Sequence, residues 1–365
     1  MKTFLGNVIL LAFCLSGLSA CAAPKDEAKE VVDIIYKVNN YWQEQNPKHG
    51  RSFWDNAYHT GNMEAFFLTG DSKFMDYSKA WAEHNEWKGA KSDNKAEWKY
   101  SYGESDDYVL FGDYQTCFQT YADLYNLKPD SQKIARAREV MEYQMSTDKN
   151  DYWWWADGLY MVMPVMTKLY KITGNPLYLE KLHEYWVFAD SLMYDPEDAL
   201  YYRDGKYIYP KHKSANGKKD FWARGDGWVL AALAKVLKDL PEIDRFQTMA
   251  KAVAACQQPE GYWTRSLLDP EHAPGPETSG TAFFTYGLLW GMNNGFLDKA
   301  TYQPVVEKAW KYLTTVALQP DGRVGYVQPI GEKAIPGQVV DANSTANFGV
   351  GAFLLAACEM VRFLD

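Results

Sequence analysis

Cysteine is scarce in this chain, with five among 365 residues. Cys14 and Cys21 fall in the first stretch, which leaves Cys117, Cys256 and Cys358, an odd and scattered set. Such spacing excludes a disulfide framework and a cysteine metal site, and the three read as small apolar core residues. The six histidines form no spaced cluster, and neither a Ser-His-Asp triad nor a glycine-rich phosphate loop is present, so metal, triad and phosphate chemistry lack support. There is no run rich in Lys or Arg, and the formal net charge is −9. That balance argues against nucleic acid and against a basic membrane patch, and an acidic ligand would need a local cationic spot. After the first twenty residues no apolar run is long enough to span a bilayer. No linker or break in composition divides residues 21–365, which read as one domain.

Aromatic residues are abundant instead. They make up 16% of the chain, with 14 Trp and 26 Tyr, more flat apolar surface than a core of this size needs. Sugar-binding clefts use such surfaces, and a large helical core edged with Tyr and Trp uses them too. Residues 1–20 combine a basic start, a short apolar stretch and small residues, the pattern of a secretory signal. Leu18-Ser19-Ala20-Cys21 resembles a lipobox, in which Cys21 becomes an acylated first residue and tethers the protein to a membrane. A simple cleaved signal is the alternative.

The remainder repeats one layout, an apolar helix with a small-residue entry followed by a turn and an amphipathic helix. The pairs are 57–68 with 72–87, 114–126 with 131–145, 158–172 with 177–194, 227–237 with 244–256, and 280–293 with 302–316. Thr69-Gly70-Asp71 is echoed by Thr173-Gly174-Asn175. The last apolar helix, 347–362, has no partner except the amphipathic segment 27–45 at the other end. Six helical hairpins closed into a ring follow, an all-α (α/α)6 barrel with the apolar helices inside. A short strand hairpin is expected over 200–209, around Asp204-Gly205.

In such a ring the loops before the inner helices gather at one mouth, where functional groups can converge. Asp157, after Trp153-Trp154-Trp155, is an acid in apolar surroundings and a candidate catalytic group. Asp113 is a plain helix cap or its partner, since paired carboxylates push their pKa values apart. Asp106 and Asp107 compete for that role. Trp222-Ala223-Arg224-Gly225-Asp226-Gly227-Trp228 sets an arginine between tryptophans, suited to a carboxylate and a sugar ring, or else forms an Arg224–Asp226 pair at a helix start. His59 could donate to a substrate hydroxyl or serve as a core hydrogen-bonder. Trp54, Trp155, Trp263 and Arg265 complete the candidate substrate contacts.

Four ordered motifs carry a resemblance over 54–360: W-A-D-G-L-Y-M from Trp155, F-W-A-R-G-D-G-W from Phe221, S-L-L-D-P from Ser266 leading into P-E-T-S-G-T-A-F-F-T-Y-G-L-L-W-G from Pro276, and G-V-G-A-F-L-L-A from Gly349. The chain resembles the unsaturated glucuronyl and rhamnogalacturonyl hydrolases of glycoside hydrolase families 88 and 105, the latter most. The resemblance implies an (α/α)6 barrel and removal of a 4,5-unsaturated uronic acid from lyase-generated oligosaccharides, with rhamnogalacturonan the expected source. It implies hydration of the vinyl ether, with Asp157 as the acid, Asp113 near the second aspartate, and Trp155, Trp222, Arg224 and Trp228 holding the sugar. No metal or organic cofactor is implied. Many relatives read H-A-D-D-Q where Phe111-Gly112-Asp113-Tyr114-Gln115 stands, and R-G-N-G-W where Asp226 stands. An acid beside Arg224 should weaken attraction for a uronate unless it points away or is neutral. An inverting glycosidase on the same barrel, or a non-catalytic glycan-binding protein, are the competing expectations.

Overall fold

A computed structural model describes residues 24–240 and 243–365. The secretory segment and Cys21 lie outside the described residues. Helix α1 (Pro24–Gln45) is followed by α2 (Ser52–Thr69) and α3 (Ser72–His84), then α4 (Gly112–Gln115) running almost directly into α5 (Cys117–Leu127), then α6 (Gln132–Met145). Next come α7 (Ala156–Thr173), α8 (Leu177–Met193), α9 (Ala223–Val236), α10 (Ile243–Ala255), α11 (Thr278–Asn293), α12 (Lys299–Tyr312) and α13 (Asn347–Leu364). Each inner helix begins two to five residues earlier than the apolar pattern alone indicates, except α13, because the first turns carry polar and glycine residues that belong to the mouth.

The inner helices close a ring in which α2, α4–α5, α7, α9, α11 and α13 pack in order and α13 returns to α2. Outside it α3, α6, α8, α10 and α12 each follow their inner helix, and α1 packs on α13, so the two ends of the chain form the sixth pair. The expected six-hairpin barrel is what the chain forms. By length and composition α13 could cross a membrane, which the apolar-run reading did not anticipate. Its apolarity has another cause, since Gly349 to Val361 are all buried within the ring.

The echoed turns do the same work twice. Gly70 takes φ 71° and donates its N–H to Phe66, while the Asp71 side chain accepts from the Lys73 N–H and caps α3. Gly174 takes φ 70° and donates to Tyr170, and the Asn175 side chain accepts from the Leu177 N–H. Left-handed backbone suits glycine, and Asp or Asn beyond it supplies the acceptor that opens the next helix.

The expected strand hairpin lies upstream of its assigned place. Tyr194–Asp195 pairs antiparallel with Leu200–Tyr201. The turn between them is held by the Asp195 carboxylate, which accepts from the Glu197 and Asp198 N–H groups, while Asp204-Gly205 forms a separate turn outside the ladder.

Ring closure depends on two glycines. A Cβ at Gly61 would stand 2.3 Å from the Gly351 carbonyl oxygen, and one at Gly351 would stand 2.3 Å from the Ala57 carbonyl oxygen. Backbone cannot rotate away as a side chain can. Gly351→Ala should therefore lose on the order of 1–3 kcal/mol of stability in denaturant unfolding, despite a helix-propensity gain of about 1 kcal/mol. Gly331→Ala, with its nearest neighbour atom at 3.7 Å, should be near neutral, and equal effects from both would show that the α2–α13 crossing has slack.

Candidate active site

The mouth is built by one repeated hydrogen bond. The first residue of an inner helix donates its N–H to a carbonyl in the loop that leads to the next inner helix: Ala156 to Arg203 (2.8 Å), Ala223 to Arg265 (2.9 Å) and Thr278 to Tyr326 (2.8 Å). Trp155 bridges Asp204 and Trp222 bridges Ser266 in the same way. The residue before each helix is extended, so its side chain turns inward while the helix start is fixed in place.

Asp113 and Asp157 occupy the first turns of α4 and α7. Gly112 and Gly158 stand beside them, and the Trp155 ring fills the space both leave, since a Cβ at either glycine would come within 3.1 Å of that ring. Phe111 stacks on the other side, with centroids 4.8 Å apart. The Asn56 side chain ties α2 to this point by donating to the Asp113 carbonyl at 2.5 Å. Neither Asp113 Oδ1 nor Asp157 Oδ2 has a hydrogen-bond partner among the described residues. Burial raises Asp113, the nearby Asp157 charge raises it further, and Arg203 offsets only part, so its pKa reaches about 7. Burial also raises Asp157, against the pull of Arg203 and Arg224. Two interacting acids titrate as a pair, and this pair retains a proton near neutrality.

Arg203 is the functional residue that sequence reasoning missed. Its Nε lies 3.5 Å from Asp157 Oδ2, and its side chain is 11% exposed against 14% for Asp157. Nη1 reaches Asp204 at 2.6 Å and Glu332 at 3.3 Å, and the guanidinium lies 5.7 Å from the Trp154 ring centroid. A signal existed, because Arg203 holds in one repeat the place that Arg265 holds in the next. Tyr102 was missed as well. It is 57% exposed and edge-on to Phe111 at 5.8 Å, a flat surface at the rim.

The other candidates divide. Arg224 sits near Asp157, packed against Trp222 and Phe348 at 4.5 and 4.4 Å. Its Nη1 donates to the Gln328 carbonyl (2.7 Å) and its Nη2 to the Pro329 carbonyl (2.9 Å), with Glu277 3.8 Å away. Burial lowers its pKa to about 10. It braces the 318–346 loop over the mouth. Trp222 donates to the Gln328 side chain at 2.8 Å and supports the same loop. Trp228 lines the inside of the ring against Tyr160 and Phe283.

Four expected contacts are corrected. Asp226 is wholly buried and accepts from the Tyr201 N–H at 2.8 Å, so it points away from the mouth, and burial raises its pKa well above the ordinary carboxylate value. No Arg224–Asp226 ion pair forms among the described residues. His59 bonds Ser78 at 2.9 Å and stacks on Trp81 at 3.9 Å, which makes it a core residue between α2 and α3. Trp263 is buried and donates to the Val253 carbonyl. Arg265 donates to the Gln338 and Pro274 carbonyls and joins two loops. Trp54 lies in the first turn of α2, and its side chain is outside what the structure describes. Asp106 pairs with Arg51, and Asp107 with Lys99, at the surface and apart from Asp157.

Asp113 binds its proton more tightly folded than unfolded, so it costs stability as pH rises from the ordinary carboxylate value of 3.8 to about 7. Asp113→Asn removes that cost. Its melting-temperature advantage over wild type should grow across that window and level off above it, and an advantage independent of pH would show that Asp113 is an ordinary surface acid.

Residues 28–364 match the sequence profile of Glycosyl Hydrolase Family 88. An unsaturated 3S-rhamnoglycuronyl hydrolase from Formosa agariphila is 35% identical over 345 residues, covering 88% of each chain. A solved glycosyl hydrolase family 88 protein from Bacteroides vulgatus is 68% identical, superposes with a TM-score of 0.90 and covers 92% of this chain and 99% of that one. A solved chain described as a polysaccharide lyase is 82% identical, with a TM-score of 0.90 and coverage of 93% and 98%. With the profile matched over nearly its whole length and the paired acids standing at the mouth of a six-hairpin barrel, this chain belongs to glycosyl hydrolase family 88.

Proposed function

We propose that the protein removes a 4,5-unsaturated uronic acid from the non-reducing end of oligosaccharides by hydrating its vinyl ether. The observation that carries this reading is the pair of buried acids Asp113 and Asp157, each with a carboxylate oxygen that has no hydrogen-bond partner among the described residues, held beside Arg203 in an aromatic mouth. A carboxyl that keeps its proton near neutral pH can protonate carbon, and a neighbouring cation favours an anionic sugar.

The Asp157 carboxyl gives its proton to C4, and the electrons of the C4–C5 double bond form the new C–H bond. Positive charge develops at C5 and the ring oxygen. Water adds at C5 and gives its proton to the carboxylate, which restores the acid. The hemiketal at C5 then opens to a ketone, and the anomeric centre releases the remaining sugar with its oxygen protonated. One water is consumed and no redox change occurs. Asp113, raised to about 7 by burial and by the Asp157 charge, is the second acid beside Asp157 that can hold a proton toward neutral pH. Trp155 and Phe111 exclude water from behind the acids.

The name of the Formosa agariphila relative supports a rhamnose-linked substrate, which fits the rhamnogalacturonan expectation. Export and a lipid tether at Cys21 form part of the proposal, export resting on the signal pattern of residues 1–20 and the tether on Leu18-Ser19-Ala20-Cys21. The name of the 82% identical chain favours a second reading, elimination. The two chemistries change the double bond in opposite directions.

Incubation with lyase-generated oligosaccharides should therefore lower the ultraviolet absorbance of the conjugated double bond. A rise on intact polysaccharide would establish a lyase, and no change across unsaturated uronyl substrates would refute the hydrolase. Asp157→Asn should lower turnover by roughly 10²–10⁴-fold or more, the usual worth of a general acid, while binding persists.

A further inference from the structure

Three arginines stand at the mouth, and their partners differ. Arg224 spends both terminal nitrogens on the Gln328 and Pro329 carbonyls, and Arg265 spends its own on Gln338 and Pro274. Backbone carbonyls of braced loops do not exchange for a ligand. Arg203 differs because its partners are side-chain carboxylates: Asp204, Glu332 and Asp157. Its Nε, the atom nearest Asp157, has no hydrogen-bond partner among the described residues.

Glu332 is the exposed member of that set. At 44% exposure it lies on the 318–346 loop, and it also accepts from Tyr207 Oη at 2.5 Å and from Lys206 Nζ at 3.1 Å. Two cations and a phenol thus converge on one mobile-length carboxylate. Asp204, by contrast, is buried, is fixed by the Lys206 N–H at 2.7 Å and neutralises only part of the local charge. The cluster begins 3.5 Å from the acid that acts on the sugar.

Resting on the hydrolase reading above, we infer that Arg203, Lys206 and Tyr207 form the subsite for the carboxylate of the unsaturated uronyl unit, and that Glu332 occupies it in the ligand's place. Exchange of one carboxylate for another leaves the net charge on the cations unchanged, so the substrate displaces Glu332 without stranding a buried charge. Arg203 is then a specificity-determining residue, and Arg224, where the resemblance located uronate binding, is a brace.

The test compares an unsaturated uronyl disaccharide as the free acid and as the methyl ester of its uronyl carboxyl, with Arg203→Gln, Lys206→Gln and Glu332→Gln. The readout is the ratio of kcat/KM for acid over ester, in which any general damage to Asp157 cancels. Arg203→Gln and Lys206→Gln should each lower that ratio by about tenfold or more, mainly through KM for the acid. Glu332→Gln should lower KM for the acid. Active variants with unchanged ratios would overturn the subsite. Lys206, 59% exposed, keeps the test open if Arg203→Gln does not fold. A wild type that consumes neither substrate would overturn the hydrolase reading itself, and the subsite with it.

Discussion

Two carboxylates held in neighbouring helix starts around a single indole set the terms for the rest of the mouth. Ionising both acids in a half-dry aromatic pocket is unfavourable, because burial and mutual repulsion act in the same direction. The positive ends of α4 and α7 and the two nearby guanidiniums work against that cost, but not enough to restore an ordinary carboxylate value for either acid. The balance leaves Asp113 at about 7 and Asp157 raised in the same direction. Trp155 sets the spacing, and Gly112 and Gly158 are the two positions where a side chain would push it out. The acids, the ring and the glycines form one packing unit.

That unit explains the departures from the pattern that many relatives show. Phe111, where a histidine is common, supplies the face on which Trp155 stacks. Tyr114, in place of a second acid, is buried against Phe53, and its hydroxyl donates to the Glu104 carbonyl at 2.5 Å while Arg51 lies over its ring. Replacing an acid next to Asp113 by a neutral ring also spares the pair a third negative charge. Asp226, which looks hostile to a uronate when read beside Arg224, accepts a backbone N–H of the second strand, and burial raises its pKa. Position 226 is a joint between α9 and the strand pair, where the carboxyl's acceptor oxygen holds the Tyr201 N–H.

The barrel was legible in the sequence because each hairpin repeats an apolar face, a small-residue entry and a turn signal, all local properties of the chain. Asp113 and Asp157 were legible because each opens an inner helix. The direction of a side chain was not. In a first helical turn successive residues point some 100° apart, so Arg224 and Asp226 share a motif and face different neighbours. His59 and Trp263 were chosen for residue type in suggestive company, and both face the core. Arg203 was passed over because its segment has no periodicity and contacts Asp157 through a fold 46 residues long. The shared geometry of Ala156 with Arg203 and Ala223 with Arg265 shows that an alignment of the internal repeats, not a search for motifs, would have located it.

The scarcity of positive charge gives that arginine its importance. A protein of net charge −9 offers an anionic sugar little long-range attraction, so recognition has to come from a few cations at short range in a low-dielectric setting. Arginines at such a mouth must be held in position, and holding them uses up their donors. Arg224 and Arg265 illustrate the limit of that strategy, since their terminal nitrogens are spent on backbone carbonyls that a ligand does not replace. Arg203 is positioned by acids instead. Acids can position a guanidinium and still be exchanged for another acid, which makes the same contact serve for stability in the free enzyme and for selection in the complex. A carboxylate-braced arginine is therefore the arrangement that reconciles a preorganised site with an anionic substrate on an acidic protein.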